Sequence, residues 1–116
     1  MVVDRRSFNL VIPASATISV DSRDGRTVVV VSGEIDVANS DSLLDAILAQ
    51  SKVGRDLTVD LASVSFIDSS GLGALAEVNR RCRADGVGLF FVVGNPNVRR
   101  VLSVSGLDKI LQLAGD

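Results

Sequence analysis

Two serines at the start of a predicted helix are the residues best placed to do chemistry in this chain. The segment Asp68-Ser69-Ser70-Gly71-Leu72-Gly73 follows an apolar, strand-like stretch and opens an amphipathic one. Serine and aspartate cap free backbone N–H groups at such a position, which is a structural role. A phosphate on Ser69 would be stabilised there too, by the same N–H groups and by the positive end of the helix dipole. Capping and phosphate acceptance are compatible, and the residues alone leave both open.

Other chemistries at this segment lack some of the residues that they need. Gly71-Leu72-Gly73 matches the first half of a dinucleotide-binding G-x-G-x-x-G turn, but Ala76 stands where the last glycine is required, and the lysine of a P-loop is missing. Asp60 and Asp68 could hold Mg²⁺ in a phosphoacceptor-aspartate site, but no lysine follows a predicted central strand to neutralise the phosphate. We therefore expect neither a metal nor a cofactor.

The composition excludes several classes of function. The chain has 116 residues, a net charge of −2, one cysteine and no histidine. Without histidine there is no Ser-His-Asp or Cys-His catalytic pair and no histidine-ligated metal. A slightly acidic chain with 3% aromatic residues is poorly suited to nucleic acid, which needs a basic face and stacking side chains. Cys82 lies on the apolar side of a predicted helix, where we expect a buried small apolar residue.

The pattern along the chain predicts one cytoplasmic domain. Apolar stretches such as Val28–Val31 are far shorter than the about 20 residues of a membrane-spanning helix. The apolar part of the N-terminus is broken by Asn9 and falls short of a signal-peptide core of about 7–15 residues. We therefore predict no membrane association. Residues 1–14 are expected to form an N-terminal arm or an edge strand, and residues 15–116 the folded domain.

The pattern of apolar residues along the chain predicts a β-hairpin at the start of the regular structure. Ala16–Asp21 and Thr27–Ser32 are its strands, on either side of the turn dipeptide Asp24-Gly25. The β-branched run in Thr27–Ser32 is typical of a strand buried on both faces. Gly33–Asp36 is expected to lead out of the sheet, and Lys109–Leu113 is expected to add a last edge strand.

Three amphipathic helices alternate with the later strands. The first is predicted to begin near Asn39 or Ser40, either of which can cap it, and the third after Asn95-Pro96. Residues 57–61, continued by 65–67, and residues 88–93 read as the strands between them. This alternation predicts an α/β fold with its site beyond the carboxyl ends of the strands. The inner face of the second helix is expected to carry Leu72, Leu75, Ala76, Asn79 and Cys82.

Three motifs, in this order along the chain, resemble those of bacterial anti-sigma-factor antagonists, the STAS-domain proteins. Gly33–Asp36 is similar to the family's G-E-[LI]-D, Phe66–Gly73 to its phosphoacceptor signature, and Ser105-Gly106-Leu107 to the end of its third helix. The resemblance covers about residues 16–113 and implies a STAS-type fold, a mixed β-sheet packed against helices. Family members often carry a final helix, which this chain, ending at Asp116, is expected to lack.

The resemblance implies a regulator of transcription that binds other proteins rather than an enzyme. In this family the unphosphorylated form binds an anti-sigma factor, usually a serine kinase, and so releases a sigma factor, often in stress responses. The kinase switches the antagonist off by phosphorylating the serine after the signature aspartate, here Ser69. A PP2C-type phosphatase restores it. The partner-binding residues implied by the resemblance are Asp36, Asp68, Ser69, Ser70, Gly71 and Leu72.

Two alternative functions stay open. One is a STAS scaffold or sensor module that is never phosphorylated, and the other is a small-ligand or nucleotide-binding domain that uses the same turn. The intact Asp68-Ser69-Ser70-Gly71 favours the phosphorylated antagonist over the scaffold. The missing lysine and later glycine disfavour the nucleotide-binding domain.

Overall fold

A mixed five-stranded sheet forms the centre of the molecule. The computed structural model describes residues 5–23 and 25–114, and the side chains of Arg5, Arg6 and Arg23 lie outside that description. Neighbouring strands follow chain order: β1 (Arg5–Leu10), β2 (Ala16–Arg23), β3 (Arg26–Ile35), β4 (Asp56–Ile67) and β5 (Leu89–Val93). The first three strands pair antiparallel, whereas β3–β4 and β4–β5 pair parallel. The predicted mixed sheet is therefore confirmed, and Asp24 of the predicted turn lies outside the described residues.

Helices supply the crossovers that parallel strands require. They are α1 (Ser40–Ala49), α2 (Ser69–Ala84) and α3 (Pro96–Ser105), followed by a 3₁₀ turn over Leu107–Lys109. The predicted start of α3 is confirmed, because the Asn95 side chain accepts hydrogen bonds from the N–H groups of Asn97 and Val98. In the part of the chain that the structure describes, no helix is long and apolar enough to cross a membrane.

The core lies between the helices and one face of the sheet. Along β3, Val29 and Val31 are fully buried, whereas Val28 and Val30 are only half-buried. The prediction that this strand is buried on both faces is wrong, because the helices pack on one face alone and burial follows the two-residue period of the strand. The core joins strand and helix side chains, among them Val29, Val59, Phe91, Leu43, Ile47, Leu75, Val78 and Leu102.

The segment Gly33–Ile35 stays in the sheet instead of leading out of it. Gly33 pairs with Val64, and Ile35 pairs with Ile67 at the end of β4. The register shifts between Val30 and Ser32 and again between Gly33 and Glu34. On β4 the shifts fall between Asp60 and Ser63 and between Val64 and Phe66, and they let β3 continue to its carboxyl end beside β4.

The predicted last edge strand at Lys109–Leu113 is reduced to a single bridge. Leu113 makes one parallel bridge to Phe91 on the outer side of β5. Before it, Leu107 and Leu111 are both buried. Their spacing of four residues suits a helical turn rather than an alternating strand, so packing of these two leucines overrides the expected strand.

The structure has a strand, β1, for part of the N-terminal segment. Arg5–Leu10 pairs antiparallel with β2, with Leu10 opposite Ile18. Leu10 packs against the core, whereas Phe8 is 40% exposed. Of the two alternatives expected for residues 1–14, residues 5–10 therefore adopt the edge strand, and residues 1–4 lie outside the described part of the chain.

Candidate functional site

The carboxyl ends of β3 and β4 meet beneath the first turn of α2. Ile35 and Ile67 are register partners at these ends, and the Asp68 N–H donates to the Ile35 carbonyl at 3.1 Å. Asp36 and Asp68 are the next residues along each strand, so both lie at the same edge of the sheet. The structure therefore brings together the G-E-I-D and Asp-Ser-Ser-Gly segments, which are distant in sequence.

Asp68 caps α2. Its Oδ1 accepts hydrogen bonds from the Ser70 hydroxyl at 2.5 Å and from the Gly71 N–H at 3.1 Å. These two bonds favour the charged carboxylate and lower the pKa of Asp68, with the Ser70 hydroxyl having the larger effect and a backbone bond from Val37 a smaller one. The capping role predicted for this segment is confirmed for Asp68, which stays ionised while it orders the helix start.

The two serines of the motif differ in what their hydroxyls do. Ser69 is the first residue of α2 and is exposed, and its hydroxyl makes no hydrogen bond with any residue that the structure describes. Ser70 is half-buried, and its hydroxyl donates to Asp68. Ser69 is therefore open to another protein, whereas a reaction at Ser70 would break the hydrogen bond that supports the cap.

Gly71 is required by packing rather than by a turn. It lies inside α2 and is buried. A Cβ at this position would stand 2.6 Å from Ile67 Cγ1 and 2.8 Å from Ile35 Cγ2. The missing side chain thus allows the first turn of α2 to rest directly on the ends of β3 and β4, which fixes the height of Ser69 above the sheet edge.

The Gly71→Ala variant is expected to lower the free energy of unfolding by about 2 kcal/mol, since overpacking a well-packed core costs about 1–3 kcal/mol. Gly73→Ala is the matched control, because a Cβ there meets nothing within 4 Å. The better helix propensity of alanine should make that variant about 0.5–1 kcal/mol more stable than the original chain. Urea unfolding measures both, and equal stability of the two variants would contradict the packing role of Gly71.

The turn between β3 and α1 is held by side chains that bond to the backbone. Asn39 is fully buried and does not cap α1 with its side chain, contrary to expectation. Its Oδ1 accepts from the Asp36 N–H at 3.0 Å, and its Nδ2 donates to the Glu34 carbonyl at 2.9 Å. Asp36 Oδ1 in turn accepts from the Ala38 N–H at 3.0 Å. An amide can donate and accept at once, so Asn39 secures the turn that carries Asp36.

The buried face of α2 is rotated from the predicted one. Leu75, Asn79 and Cys82 are buried as expected. Ala74 and Val78 are buried as well, whereas the predicted inner residues Leu72 and Ala76 are only half-buried. Burial raises the pKa of the Cys82 thiol, with a smaller contribution from the Asp85 carboxylate, so this cysteine behaves as the small apolar residue that was expected. The rotation leaves Leu72 at the surface beside Ser69.

An apolar groove runs between the start of α2 and α3. It has a volume of about 370 Å³ and is lined mainly by Leu72, Val101 and Val104, with Arg100 at its edge. Val104 is 82% exposed. Arg100 and Val104 were missed as site residues. The signal that could have found Val104 is its position off the buried stripe of Val98 and Leu102, since a large apolar residue on an outer helix face marks a contact surface when it has apolar neighbours.

Two more large apolar residues are exposed at the strand ends. Val37, directly after Asp36, is 80% exposed, and Phe66, two residues before Asp68, is 49% exposed. Together with Leu72 of the groove, they add exposed apolar area near the sheet edge from which α2 begins. Such a surface is suited to binding a protein.

The carboxylates considered for a metal are not brought together. Asp60 lies within β4, about 26 Å before Asp68 at the roughly 3.3 Å rise of a strand. Its Oδ1 accepts from the Ala62 N–H at 2.9 Å. Across residues 5–23 and 25–114, no three acidic, histidine or cysteine side chains are grouped so that they could hold a metal ion.

The fold and the two adjoining motifs agree with one family of known proteins. Residues 17–115 match the STAS domain family. The chain belongs to the STAS domain family. Two of its relatives are named anti-sigma factor antagonists. The anti-sigma-F factor antagonist RsfB of Mycobacterium tuberculosis is 32% identical over 105 residues, which cover 87% of this chain and 83% of RsfB. The anti-sigma-B factor antagonist of Bacillus subtilis is 27% identical over 84 residues, 72% of this chain and 77% of that protein.

A solved STAS structure supports the same assignment. The crystal structure of an anti-sigma factor antagonist from Mycobacterium paratuberculosis superposes with a TM-score of 0.79 at 36% sequence identity, and the match covers 92% of each chain. The predicted STAS-type fold is therefore confirmed.

Proposed function

We propose that this STAS protein is an anti-sigma factor antagonist that is switched off by phosphorylation of Ser69. It acts in the cytoplasm by binding an anti-sigma factor, without catalysing a reaction itself. The observation that carries the proposal is the contrast between the two serines, since Ser69 is exposed with an unengaged hydroxyl while Ser70 is committed to the Asp68 cap. The names of the relatives support the class of partner.

The binding surface is the edge around Ser69. Asp68 and Asp36 place two carboxylates beside the serine, and Val37 and Phe66 add exposed apolar area. Leu72 extends this area into the groove along α3. Interfaces of this kind combine an apolar centre with a polar rim, so a partner with an apolar contact and a basic rim fits the surface.

Phosphorylation would be carried out by the anti-sigma factor acting as a serine kinase. A bond forms between Ser69 Oγ and the γ-phosphorus of ATP, the bond from that phosphorus to ADP breaks, and a base of the kinase takes the hydroxyl proton. The new phosphate carries a charge of about −1.5 to −2. The N-terminus of α2 tolerates this charge, so the fold is retained while the partner surface becomes strongly acidic. A PP2C-type phosphatase would restore the hydroxyl by hydrolysis.

Incubation with candidate anti-sigma kinases and ATP, followed by mapping of the phosphate by mass spectrometry, tests this proposal. We expect one phosphate, on Ser69, and none in the Ser69→Ala variant. The Ser70→Ala variant is the matched control and should still be modified at Ser69. Modification only at other residues, or none with any kinase that binds the chain, would contradict the phospho-switch and favour a scaffold. Tight nucleotide binding by the isolated chain would favour the ligand-binding alternative.

A further inference from the structure

We propose that a cleft at the far end of α2 binds a small organic anion, a carboxylate or phosphate group joined to a compact apolar body. The cleft has a volume of about 340 Å³ and lies between the second half of α2, the start of β5 and the segment after the 3₁₀ turn. Its lining includes Asn79, Arg83, Leu89, Lys109, Leu111 and Gln112. This function is separate from that of the Ser69 surface.

Asn79 is the side chain that gives the cleft its polar centre. It is only 8% exposed, and it lines the cleft. Its amide makes no hydrogen bond with any other residue in the described part of the chain. The polar atoms of this amide are not fully buried, so they face the open space of the cleft. A ligand that accepts from the amide Nδ2 and donates to its Oδ1 would therefore find both groups free to bond.

Two cations from different elements line the same cleft. Arg83 comes from the last turn of α2 and Lys109 from the 3₁₀ turn, and no carboxylate is among the described lining residues. Neither cation forms an ion pair within residues 5–23 and 25–114. The helix dipole explains a cation at the end of α2, but it does not explain a second cation from another segment facing the same space. A guanidinium and an ammonium together suit a carboxylate or phosphate.

The rest of the cleft sets the size and character of the ligand. Val87, Leu89 and Leu111 are buried apolar residues that form its floor. A volume of about 340 Å³ is at the lower end of small-molecule sites, which excludes large ligands. At a rise of about 1.5 Å per residue, Asn79 lies about 15 Å and Arg83 about 21 Å beyond Ser69 along α2. The ligand and a protein partner at Ser69 can therefore bind at the same time.

Titration of the ¹⁵N-labelled chain with phenyl phosphate, followed by NMR, tests the proposal. We expect saturable shifts of the backbone amides of Asn79, Leu89 and Lys109, with a dissociation constant of about 1 mM or tighter. Inorganic phosphate should bind more weakly because it lacks the apolar body, and phenol should not shift these amides because it lacks the charge. Shifts confined to residues 68–72, or no saturation up to about 10 mM phenyl phosphate, would overturn the proposal.

Variants separate binding from folding. Arg83→Ala and Lys109→Ala remove exposed side chains and should each weaken phenyl phosphate binding about tenfold. Arg80→Ala is the control, since Arg80 is an exposed cation of the same helix that pairs with Glu77 at 2.6 Å. Asn79→Leu should weaken binding while keeping or raising the thermal midpoint, because a leucine replaces an unpaired amide. Equal binding by Arg80→Ala and Arg83→Ala would overturn the site.

Discussion

The Ser69→Asp variant is expected to bind the anti-sigma factor at least about a hundredfold more weakly than the original chain, whereas Ser69→Ala binds normally. A misplaced like charge at an interface costs several kcal/mol, and each 1.4 kcal/mol is about a factor of ten in affinity. The new carboxylate would stand beside Asp68, at an edge that already carries Asp36. Alanine removes only a hydroxyl that has no partner among the described residues.

Isothermal titration calorimetry with the purified anti-sigma factor measures both affinities. Ser7→Asp is the matched control, since Ser7 is an exposed serine of the edge strand β1 and the substitution changes the net charge by the same amount. It should bind like the original chain. Circular dichroism should show that Ser69→Asp retains its fold, because an acidic residue is favourable in the first turn of a helix. Equal affinities of Ser69→Asp and Ser69→Ala would rule out a switch based on charge.

The Gly33→Ala variant is expected to lose about 3 kcal/mol or more of its free energy of unfolding. Gly33 has a φ of +97°, a conformation that disfavours any L side chain. A Cβ there would stand 2.0 Å from the Ser15 carbonyl oxygen, which also accepts the Glu34 N–H at 3.0 Å. The substituted residue must therefore both strain its own backbone and push away the strand beside it, breaking the contact that joins β2 to the end of β3.

Gly54→Ala separates these two costs. Gly54 has a φ of +85°, but a Cβ there meets nothing within 4 Å. Only the conformational strain remains, so this variant should lose about 1–2 kcal/mol. Denaturant unfolding compares the two variants directly, and similar losses would show that the approach of Ser15 contributes nothing. The larger loss at Gly33 would mean that the glycine of the G-E-I-D motif is needed for the fold.

Elements whose ends depend on residues close together in the sequence were predicted correctly. The start of α3 depends on Asn95, whose side chain bonds to N–H groups two and three residues further along, and its end depends on Gly106 at a φ of +83°. The strands of the hairpin follow from β-branched runs around a turn dipeptide. Each of these depends on residues within a few positions of each other, so the amino-acid order alone contains the necessary information.

Predictions of which face of an element is buried, and of which groups a side chain bonds to, failed where segments distant in sequence decide the outcome. Burial of β3 on one face depends on where the helices pack, and the rotation of α2 brings Val78 inward and leaves Leu72 outside. The last strand gave way to the packing of Leu107 and Leu111. Asn39 was expected to cap a helix, but its burial directs both ends of its amide to the preceding turn. In each case long-range packing outweighs a local preference.

The amino-acid sequence by itself determined the order of the elements and the motif in which Ser69 follows an aspartate at a helix start. The bond that separates the two serines is local too, because the Asp68 carboxylate accepts the hydroxyl of Ser70 two residues further along, whereas the Ser69 hydroxyl stays exposed. Tertiary structure decided that Asp36 lies at the same sheet edge, and that Asn79 shares a cleft with Lys109. The physical reason is that capping acts over one helical turn, whereas exposure and the meeting of distant side chains depend on strand register and helix packing.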